Sequence, residues 1–304
     1  MGDGFFGRLV ARRLAEAHIR VLVASRTSGD IRLDVEDRAT LLRAFRPDDV
    51  LVDTAGPFQA RTTALLEAAI ERRCDVIDLS DARPYAEAAL ALHERARSSG
   101  VRILTSCSAV ATVAAAAIRA MGLTAPESCD LFLAPASAET GNPATVRAFL
   151  ASVDWSRSRE FPGGRRRGHF VDSAAAVLLA RSWPSLGRAE FWVDPNAPFA
   201  ATALALATRL GLVTLLQSAA PVSARLLGRR RGLFAIAARD GAREGLMTLS
   251  APRESYLIAA EPAVLAAETL AYGAELEPGV VRSDAQVDHA VLFARLRALG
   301  VHVR

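Results

Sequence analysis

The sequence predicts an α/β protein with an N-terminal Rossmann-like, doubly wound parallel sheet and a second α+β domain. From Gly7 to about residue 125, short apolar runs alternate with helical patterns, which is typical of βαβ crossovers. Beyond residue 125 the alternation stops, and two apolar runs flank Asp240-Gly241, a signal for an antiparallel hairpin. We therefore expect one domain over residues 1–124 and another over 125–304, whose C-terminal helices could pack back on the first.

The elements of the first domain follow in a regular order. A helix over Phe6–Ala17 places Leu9, Val10 and Leu14 on one face. The strand HIRVLVASR ends near Ser25, and a brief strand follows at Ile31–Asp34. The later segments are the helix RATLLRAF, the strand DDVLVD, the helix ARTTALLEAAIERR, the strand CDVIDLSD, the helix PYAEAALALHERARSSG and the strand VRILTSCS.

The second domain is predicted from a less regular pattern. Its strands are CDLFLAPA, GHFVDS, RAEFWVD and the two runs of GLFAIAARDGAREGLMTLS. Its helices are PATVRAFLASV, EPAVLAAETLAYG and DHAVLFARLRALG. Strands in this order favour an antiparallel or mixed sheet.

Three glycines open the chain with the spacing G-x-G-x-x-G, at Gly2, Gly4 and Gly7. In dinucleotide-binding folds this turn follows a buried strand, and the amides at the start of the next helix hold the pyrophosphate. We expect the amides of Gly4, Phe5, Phe6 and Gly7 to do so here. Only Met1 precedes the turn, so the first strand is expected to be missing. A miscalled start codon is the preferred explanation, and a genuine truncation or a strand donated by another chain are the alternatives.

The end of the HIRVLVASR strand predicts which nucleotide is bound. An NAD enzyme places an acidic residue there to hold the ribose hydroxyls. This chain has Ser25, Arg26 and Thr27 instead, which suit a 2′-phosphate. The pattern favours NADP over NAD, and the alternative is that Arg26 only caps a strand at the surface.

Composition excludes several enzyme classes. All 37 Lys+Arg residues are arginine, so Schiff-base chemistry, a P-loop and a Tyr-x-x-x-Lys reductase site are excluded. The net charge of +4 predicts no nucleic-acid surface, and no metal site is predicted. Three cysteines without a CxxC pair indicate reduced thiols. With no membrane helix and no signal peptide in the sequence, we expect a cytoplasmic protein without membrane partners.

Further candidate residues follow the ends of the parallel strands, where open α/β sheets bind their ligands. Gly56 allows a close backbone approach, and Pro57 fixes the turn so that Phe58 can cover a ring. An ordinary Gly-Pro turn is the alternative. The full set of positions is Ala55, Gly56, Pro57 and Phe58 after one strand, Ser106 and Cys107 after another, and Asp34 near the adenine end.

These stretches together resemble the saccharopine dehydrogenase-like oxidoreductases. The resemblance rests on GDGFFGRLVARRL, VLVDTAGPFQ, CDVIDLSDARPY, SGVRILTSCSAV and LEPGVVRSDAQVDHAVLFARLRALGV. It implies a two-domain enzyme, nicotinamide held near Gly56–Phe58 and Ser106–Cys107, a small-molecule substrate in the interdomain cleft, and a homodimer.

Hydride transfer also needs a proton donor, and the sequence does not single one out. We name Asp81 and Tyr85 as catalytic candidates, with Cys107 and His169 as further groups of suitable chemistry. Each of the four could instead be structural, and Asp78 could equally be structural or catalytic. The alternative function is a non-catalytic binding or scaffold protein that keeps the fold.

Overall fold

The computed structural model describes residues 1–141, 143–164, 166–197, 200–212, 222, 226–273 and 276–304. The first part of the chain alternates helices and strands. These elements are α1 (Phe5–Glu16), β1 (Ala24–Ser25), β2 (Ile31–Arg32), α2 (Arg38–Ala44), β3 (Val50–Asp53), α3 (Ala64–Arg72), β4 (Asp75–Asp78), α4 (Arg83–Ala91), α5 (His93–Ser98), β5 (Arg102–Leu104) and α6 (Ala114–Ala120). A 3₁₀ turn (Phe58–Ala60) and a π-helical turn (Ala109–Val113) complete this part.

The first sheet is parallel, as predicted, with the strand order β12-β5-β4-β3, in which β12 is Gly279–Val280 near the end of the chain. Strands β1 and β2 form a separate parallel pair. Met1 and Gly2 lie between these two parts. The Met1 nitrogen donates to Val52 O at 2.6 Å, Thr54 N donates to Met1 O at 2.9 Å, and Gly2 N donates to Ala24 O at 2.8 Å. The glycine turn is thereby fixed between β3 and the β1–β2 pair.

The strand predicted from HIRVLVASR is much shorter in the structure, because only Ala24 and Ser25 pair with β2. Val21 and Val23 are half-buried, and Leu22 is exposed. Strand β3, in contrast, forms over Val50–Asp53 because β4 pairs with it along its whole length. The apolar pattern thus predicts where each strand lies, and the number of residues that pair with the neighbouring strand determines its length.

The second part of the chain forms a seven-stranded mixed sheet of order β13-β11-β10-β6-β9-β8-β7 among the described residues. Its elements are β6 (Ser128–Ala134), α7 (Ser137–Thr140), α8 (Pro143–Ser152), β7 (Val153–Glu160), β8 (Arg167–Val171), α9 (Ala175–Ser182), β9 (Arg188–Val193), α10 (Ala200–Arg209), β10 (Gly232–Asp240), β11 (Arg243–Ala251), α12 (Leu257–Ala271), β12 (Gly279–Val280), α13 (His289–Ala298) and β13 (His302–Val303). The β10–β11 hairpin confirms the turn expected at Asp240-Gly241. The predicted fold class, a doubly wound parallel sheet with a second α+β unit, is confirmed.

The last part of the chain returns to the first sheet. Strand β12 pairs with β5 in parallel, with Val280 opposite Ile103. Helix α12 packs against α1 and covers Ile77 and Leu104 on one face of the sheet. Its buried Glu261 forms ion pairs with Arg13 of α1 and with a side chain of α13. Residues from both ends of the chain therefore share one core.

Candidate functional site

The glycine turn has a backbone that larger residues could not adopt. A Cβ added to Gly7 would lie 1.9 Å from the carbonyl oxygen of Gly2, and Gly2 itself has a φ of +89°. A Cβ on Gly4 would meet nothing within 4 Å, so the N-terminus of α1 is open on this side. The first amides of a helix have no acceptor within it, and Gly4 caps α1 without a side-chain bond. The turn fits a pyrophosphate.

The loop after β1 adjoins this turn. Arg26 and Thr27 are exposed, and the buried Ser25 hydroxyl accepts the amide of Ser28 at 3.0 Å. The carboxylate of Asp3 accepts a hydrogen bond from the Ser28 hydroxyl. The structure therefore brings the 25–28 loop next to the glycine turn, with one anionic side chain between them.

Asp34 follows β2 at the same side of the sheet. Its carboxylate accepts the amide of Glu36 at 3.0 Å, which forms a local turn. Glu36 in turn accepts hydrogen bonds from the Arg61 guanidinium (2.5 Å) and from Thr62. The Asp34 turn thus positions Glu36, and Glu36 links the loop after β2 to the segment after β3.

An ion pair that sequence reasoning missed lies behind the segment after β3. Arg61 Nη2 lies 3.1 Å from the fully buried Asp53 Oδ2, and Arg61 Nη1 donates to Ala55 O at 2.6 Å. The guanidinium lies 5.4 Å from the Phe58 ring centroid and 6.0 Å from that of Tyr85. Nothing in the local sequence distinguishes Arg61 from the exposed arginines, because its partner is set by the tertiary fold.

The aromatic pair of Phe58 and Tyr85 adjoins this ion pair. Their ring centroids are 5.1 Å apart in an edge-to-face arrangement, and both residues are buried. Ala55, Gly56 and Pro57 form the turn in front of them, and the Gly56-Pro57 peptide is cis. The exposed Gly56 leaves this turn accessible.

The carboxylate of Asp78, at the end of β4, connects the segments that follow β4 and β5. Its Oδ1 atom accepts the amides of Ser80 at 3.0 Å and Ser106 at 2.9 Å. Complete burial raises the pKa of Asp78 to about 6, although these two amides act in the opposite direction. Its carbonyl oxygen accepts the amide of Cys107 at 2.7 Å. Asp78 therefore fixes the backbone of the Ser106–Cys107 turn.

Ser106 is held in the left-handed region with a φ of +53°, and it is fully buried. A non-glycine residue in this conformation is uncommon and occurs often at functional sites. The adjacent Cys107 is also fully buried, and burial raises the pKa of its thiol. This environment makes Cys107 an unreactive thiol rather than a nucleophile.

Six buried polar atoms at this end of the sheet have no hydrogen-bond partner among the described residues. They are Gln59 Oε1, Asp78 Oδ2, the Tyr85 hydroxyl, Thr105 Oγ1, Ser106 Oγ and Ser283 Oγ. Buried polar groups are almost always paired, so unpaired ones indicate a water or a ligand. Because the six end or follow four adjacent parallel strands, they mark the carboxyl edge of the sheet as the candidate site.

Residues from the second part of the chain contact this edge. Asp81 O accepts the amide of Ala174 at 2.8 Å, and Gln59 Nε2 lies 3.5 Å from Ser152 Oγ. Burial raises the pKa of Asp81, and a hydrogen bond with Gln59 acts in the opposite direction. A cavity of about 240 Å³ next to this contact is lined in part by Arg83, Asp172 and Ser173. The Asp81 backbone thus contacts the second part of the chain.

His169 lies in strand β8, on the second domain. Its ring packs edge-to-face on Trp155 with centroids 4.9 Å apart, and burial lowers its pKa. The Nδ1 atom of His169 and the Nε1 atom of Trp155 are buried without a partner in the described part of the chain. Among the described residues, no hydrogen bond, ion pair or ring contact joins His169 or Trp155 to Asp81 or Tyr85.

Comparisons with known proteins match the first part of the chain. Residues 1–104 match the family model described as Saccharopine dehydrogenase NADP binding domain. This match confirms the predicted resemblance for the first part of the chain, and it supports the predicted class, an NAD(P)-dependent oxidoreductase enzyme. In sequence, no curated protein matches the chain.

Several solved structures are similar to this chain. The apo saccharopine dehydrogenase (L-Glu forming) of Saccharomyces cerevisiae has a TM-score of 0.60 at 13% identity, covering 100% of this chain and 97% of the yeast chain. This similarity shows that the chain has the fold of the yeast enzyme. An amine dehydrogenase of Mycobacterium smegmatis has a TM-score of 0.45 at 9% identity, covering 91% and 93%. The WlbA dehydrogenase of Thermus thermophilus, solved with NAD and alpha-ketoglutarate, has a TM-score of 0.41 at 13% identity, covering 95% and 91%.

In the described part of the chain, no helix has the length and apolar character needed to span a membrane.

Proposed function

We propose that this chain is an NADP-dependent oxidoreductase that transfers a hydride to or from a small-molecule substrate between its two domains. The observation that carries the proposal is the cluster of unpaired buried polar atoms at the edge of the sheet that also holds the glycine turn. A bound nicotinamide ring would supply the hydride donor or acceptor. The remaining chemistry comes from residues of this chain.

The dinucleotide is proposed to lie along the carboxyl edge of the first sheet. The open amides of Gly4, Phe5, Phe6 and Gly7 would bind the pyrophosphate, since helix N-termini favour anions. Arg26, with the hydroxyls of Ser25 and Thr27 nearby, would hold the 2′-phosphate. Asp34 would shape the loop at the adenine end.

The nicotinamide is proposed to lie against the turns that end β3 and β5. Ala55, Gly56 and Pro57 offer an accessible backbone, and Phe58 supports the turn from behind. Ser106 has an unpaired hydroxyl that could bind a polar group of the ring, and Cys107 contributes shape through its buried thiol. These positions fit a flat amide-bearing ring with one polar edge.

Asp81 and Tyr85 are proposed to exchange the proton that accompanies hydride transfer. The Tyr85 hydroxyl has no partner among the described residues, and burial raises its pKa well above the usual value. It would therefore stay protonated at neutral pH and could donate. Asp81 would orient the substrate or exchange the proton directly through its carboxyl group, which a hydrogen bond with Gln59 positions.

The test is calorimetric titration of NADPH and NADH into the wild-type chain, Arg26→Ala and the control Arg43→Ala. Arg43 is exposed on α2, and its guanidinium donates a hydrogen bond to Thr40. Loss of a charge-assisted contact should weaken NADPH binding about 10-fold in Arg26→Ala and leave NADH binding unchanged. Equal weakening of both cofactors would contradict the role of Arg26. Binding by neither cofactor would contradict the proposed function, and binding without turnover of any substrate would favour a scaffold protein.

The homodimer implied by the resemblance remains a prediction, which sedimentation velocity would check.

A further inference from the structure

Asp3 occupies the position between the first two glycines of the turn, and its side chain reaches the loop after β1. Its carboxylate accepts a hydrogen bond from the Ser28 hydroxyl. Its carbonyl oxygen accepts the guanidinium of Arg8 at 2.6 Å. Asp3 thus ties the glycine turn to the loop in which we place the 2′-phosphate.

Two hydroxyls of this loop, those of Ser25 and Ser28, are already engaged. The Ser25 hydroxyl donates to Ser28 O at 2.6 Å and accepts the amides of Thr27 at 3.3 Å and Ser28 at 3.0 Å. The Ser28 hydroxyl gives its proton to Asp3. A phosphate that entered this loop would have to compete with Asp3 for that proton.

The charge of Asp3 acts in the same direction. The hydrogen bond from Ser28 lowers the pKa of Asp3, so the carboxylate is ionised at neutral pH. A second anion on the same hydroxyl would be repelled at short range. The ribose hydroxyl of an unphosphorylated cofactor would instead find an acceptor in this carboxylate, as it does in the acidic residue of NAD-binding folds.

We propose that Asp3 is a specificity-determining residue that opposes the 2′-phosphate and so lowers the preference of this chain for NADP over NAD. The inference rests on the proposed cofactor function. Arg26 attracts the 2′-phosphate, and Asp3, which accepts a hydrogen bond from Ser28 of the same loop, limits that attraction. The site then accepts both NADP and NAD, and its preference depends on the opposing effects of the Arg26 cation and the Asp3 anion.

The experiment compares the dissociation constants of NADPH and NADH for the wild-type full-length chain and Asp3→Asn by calorimetry. Asparagine retains an oxygen that can accept from Ser28 and removes only the charge. NADPH should bind about 10-fold more tightly to Asp3→Asn, and NADH should bind equally or more weakly. The ratio of the two constants should therefore shift by at least about 10-fold towards NADPH, and by less at high salt.

Two controls separate the charge of Asp3 from other effects. Glu71→Gln removes an exposed carboxylate that pairs with Arg38 elsewhere in the same domain, and it should leave the ratio unchanged. Ser28→Ala removes the hydroxyl but keeps the charge, so it should not tighten NADPH binding. A thermal melt of each variant shows that it is folded.

The outcomes are distinguishable. An unchanged NADPH-to-NADH ratio in a folded Asp3→Asn variant that still binds cofactor would overturn the role of Asp3 and leave the proposed function intact. An equal shift in Glu71→Gln would also overturn it, since the effect would then be a general one of net charge. Absence of binding in every variant and in the wild type would overturn the proposed function itself.

Discussion

The Asp78 carboxylate accepts the backbone amide of Ser106 at 2.9 Å, and both residues are fully buried. This bond joins the ends of the neighbouring strands β4 and β5 and holds Ser106 in its left-handed conformation. One oxygen of Asp78 is used in this way, while the other has no partner among the described residues. Asp78 thus fixes the backbone with one carboxylate oxygen, and its other oxygen is an acceptor without a donor among the described residues.

The first prediction concerns the pH dependence caused by Asp78. Its pKa is raised from 3.8 to about 6, so the folded state binds this proton more tightly than the unfolded chain. Stability should therefore fall as pH rises between about 4 and 6, by about 3 kcal/mol, and stay level above that range. Asp78→Asn should remove this loss.

The measurement is urea unfolding of the wild type and Asp78→Asn at pH 4 and pH 7. The control is Asp48→Asn, since Asp48 is exposed and its φ of +68° suits asparagine. A constant difference in unfolding free energy between wild type and Asp78→Asn at the two pH values would show that Asp78 does not titrate in this range.

The second prediction separates two glycines of the same turn. Gly7→Ala should lower the unfolding free energy by about 1–3 kcal/mol, because its Cβ would overlap Gly2 O. Gly4→Ala should leave stability nearly unchanged, since no atom lies within 4 Å of the new Cβ. Its only effect should be weaker NADPH binding. Thermal melts and NADPH fluorescence titrations test both. Equal effects of the two substitutions on stability would contradict this reading of the turn.

The third prediction concerns the buried ion pair of Arg61 and Asp53. Arg61→Ala leaves the Asp53 carboxylate buried without its cation, which should cost about 3–5 kcal/mol of stability. Adding Asp53→Asn should recover part of that loss. In contrast, Arg38→Ala breaks an exposed pair with Glu71 and should cost at most about 1 kcal/mol.

Urea unfolding of the single and double variants gives the coupling energy of the buried pair. A value near zero would mean that the two groups are stabilised independently of each other.

The fourth prediction distinguishes function from stability at Tyr85. The Tyr85→Phe variant loses only a hydroxyl that has no partner in the described chain, so its melting temperature should not fall. If the hydroxyl donates the proton, turnover of a substrate should fall by at least about 10²-fold. NADPH absorbance during turnover measures this change. A fall in melting temperature with unchanged turnover would make Tyr85 structural.

Much of the fold follows from local patterns. The apolar runs that became β3, β4 and β5 are buried on the sheet, and their alternation with helices is enough to predict a parallel arrangement. Strand β7 was missed because VDWSRSRE is an exposed edge strand without a continuous apolar face. The two-residue strands β12 and β13 are too short to give any periodic signal.

The candidate site was predicted unevenly for a similar reason. The glycine spacing and the Gly56-Pro57 turn are local signals, so their positions could be read directly. Arg61 and Asp3 carry no such signal, because each depends on a partner that only the folded chain brings near. The sequence does not decide between a structural and a catalytic role for Asp78. Its burial and its hydrogen bond with the Ser106 amide show the structural role.

The return of α12 and β12 to the first sheet has a consequence for biosynthesis. Until almost the whole chain has left the ribosome, Ile77 and Leu104 lack the helix that covers them, and Ile103 lacks its neighbour Val280. The N-terminal unit would therefore emerge with an uncovered apolar face and an open strand edge, the features that attract chaperones and promote aggregation. A fragment cut at residue 124 should share this defect permanently, so the two domains should mature together rather than one after the other.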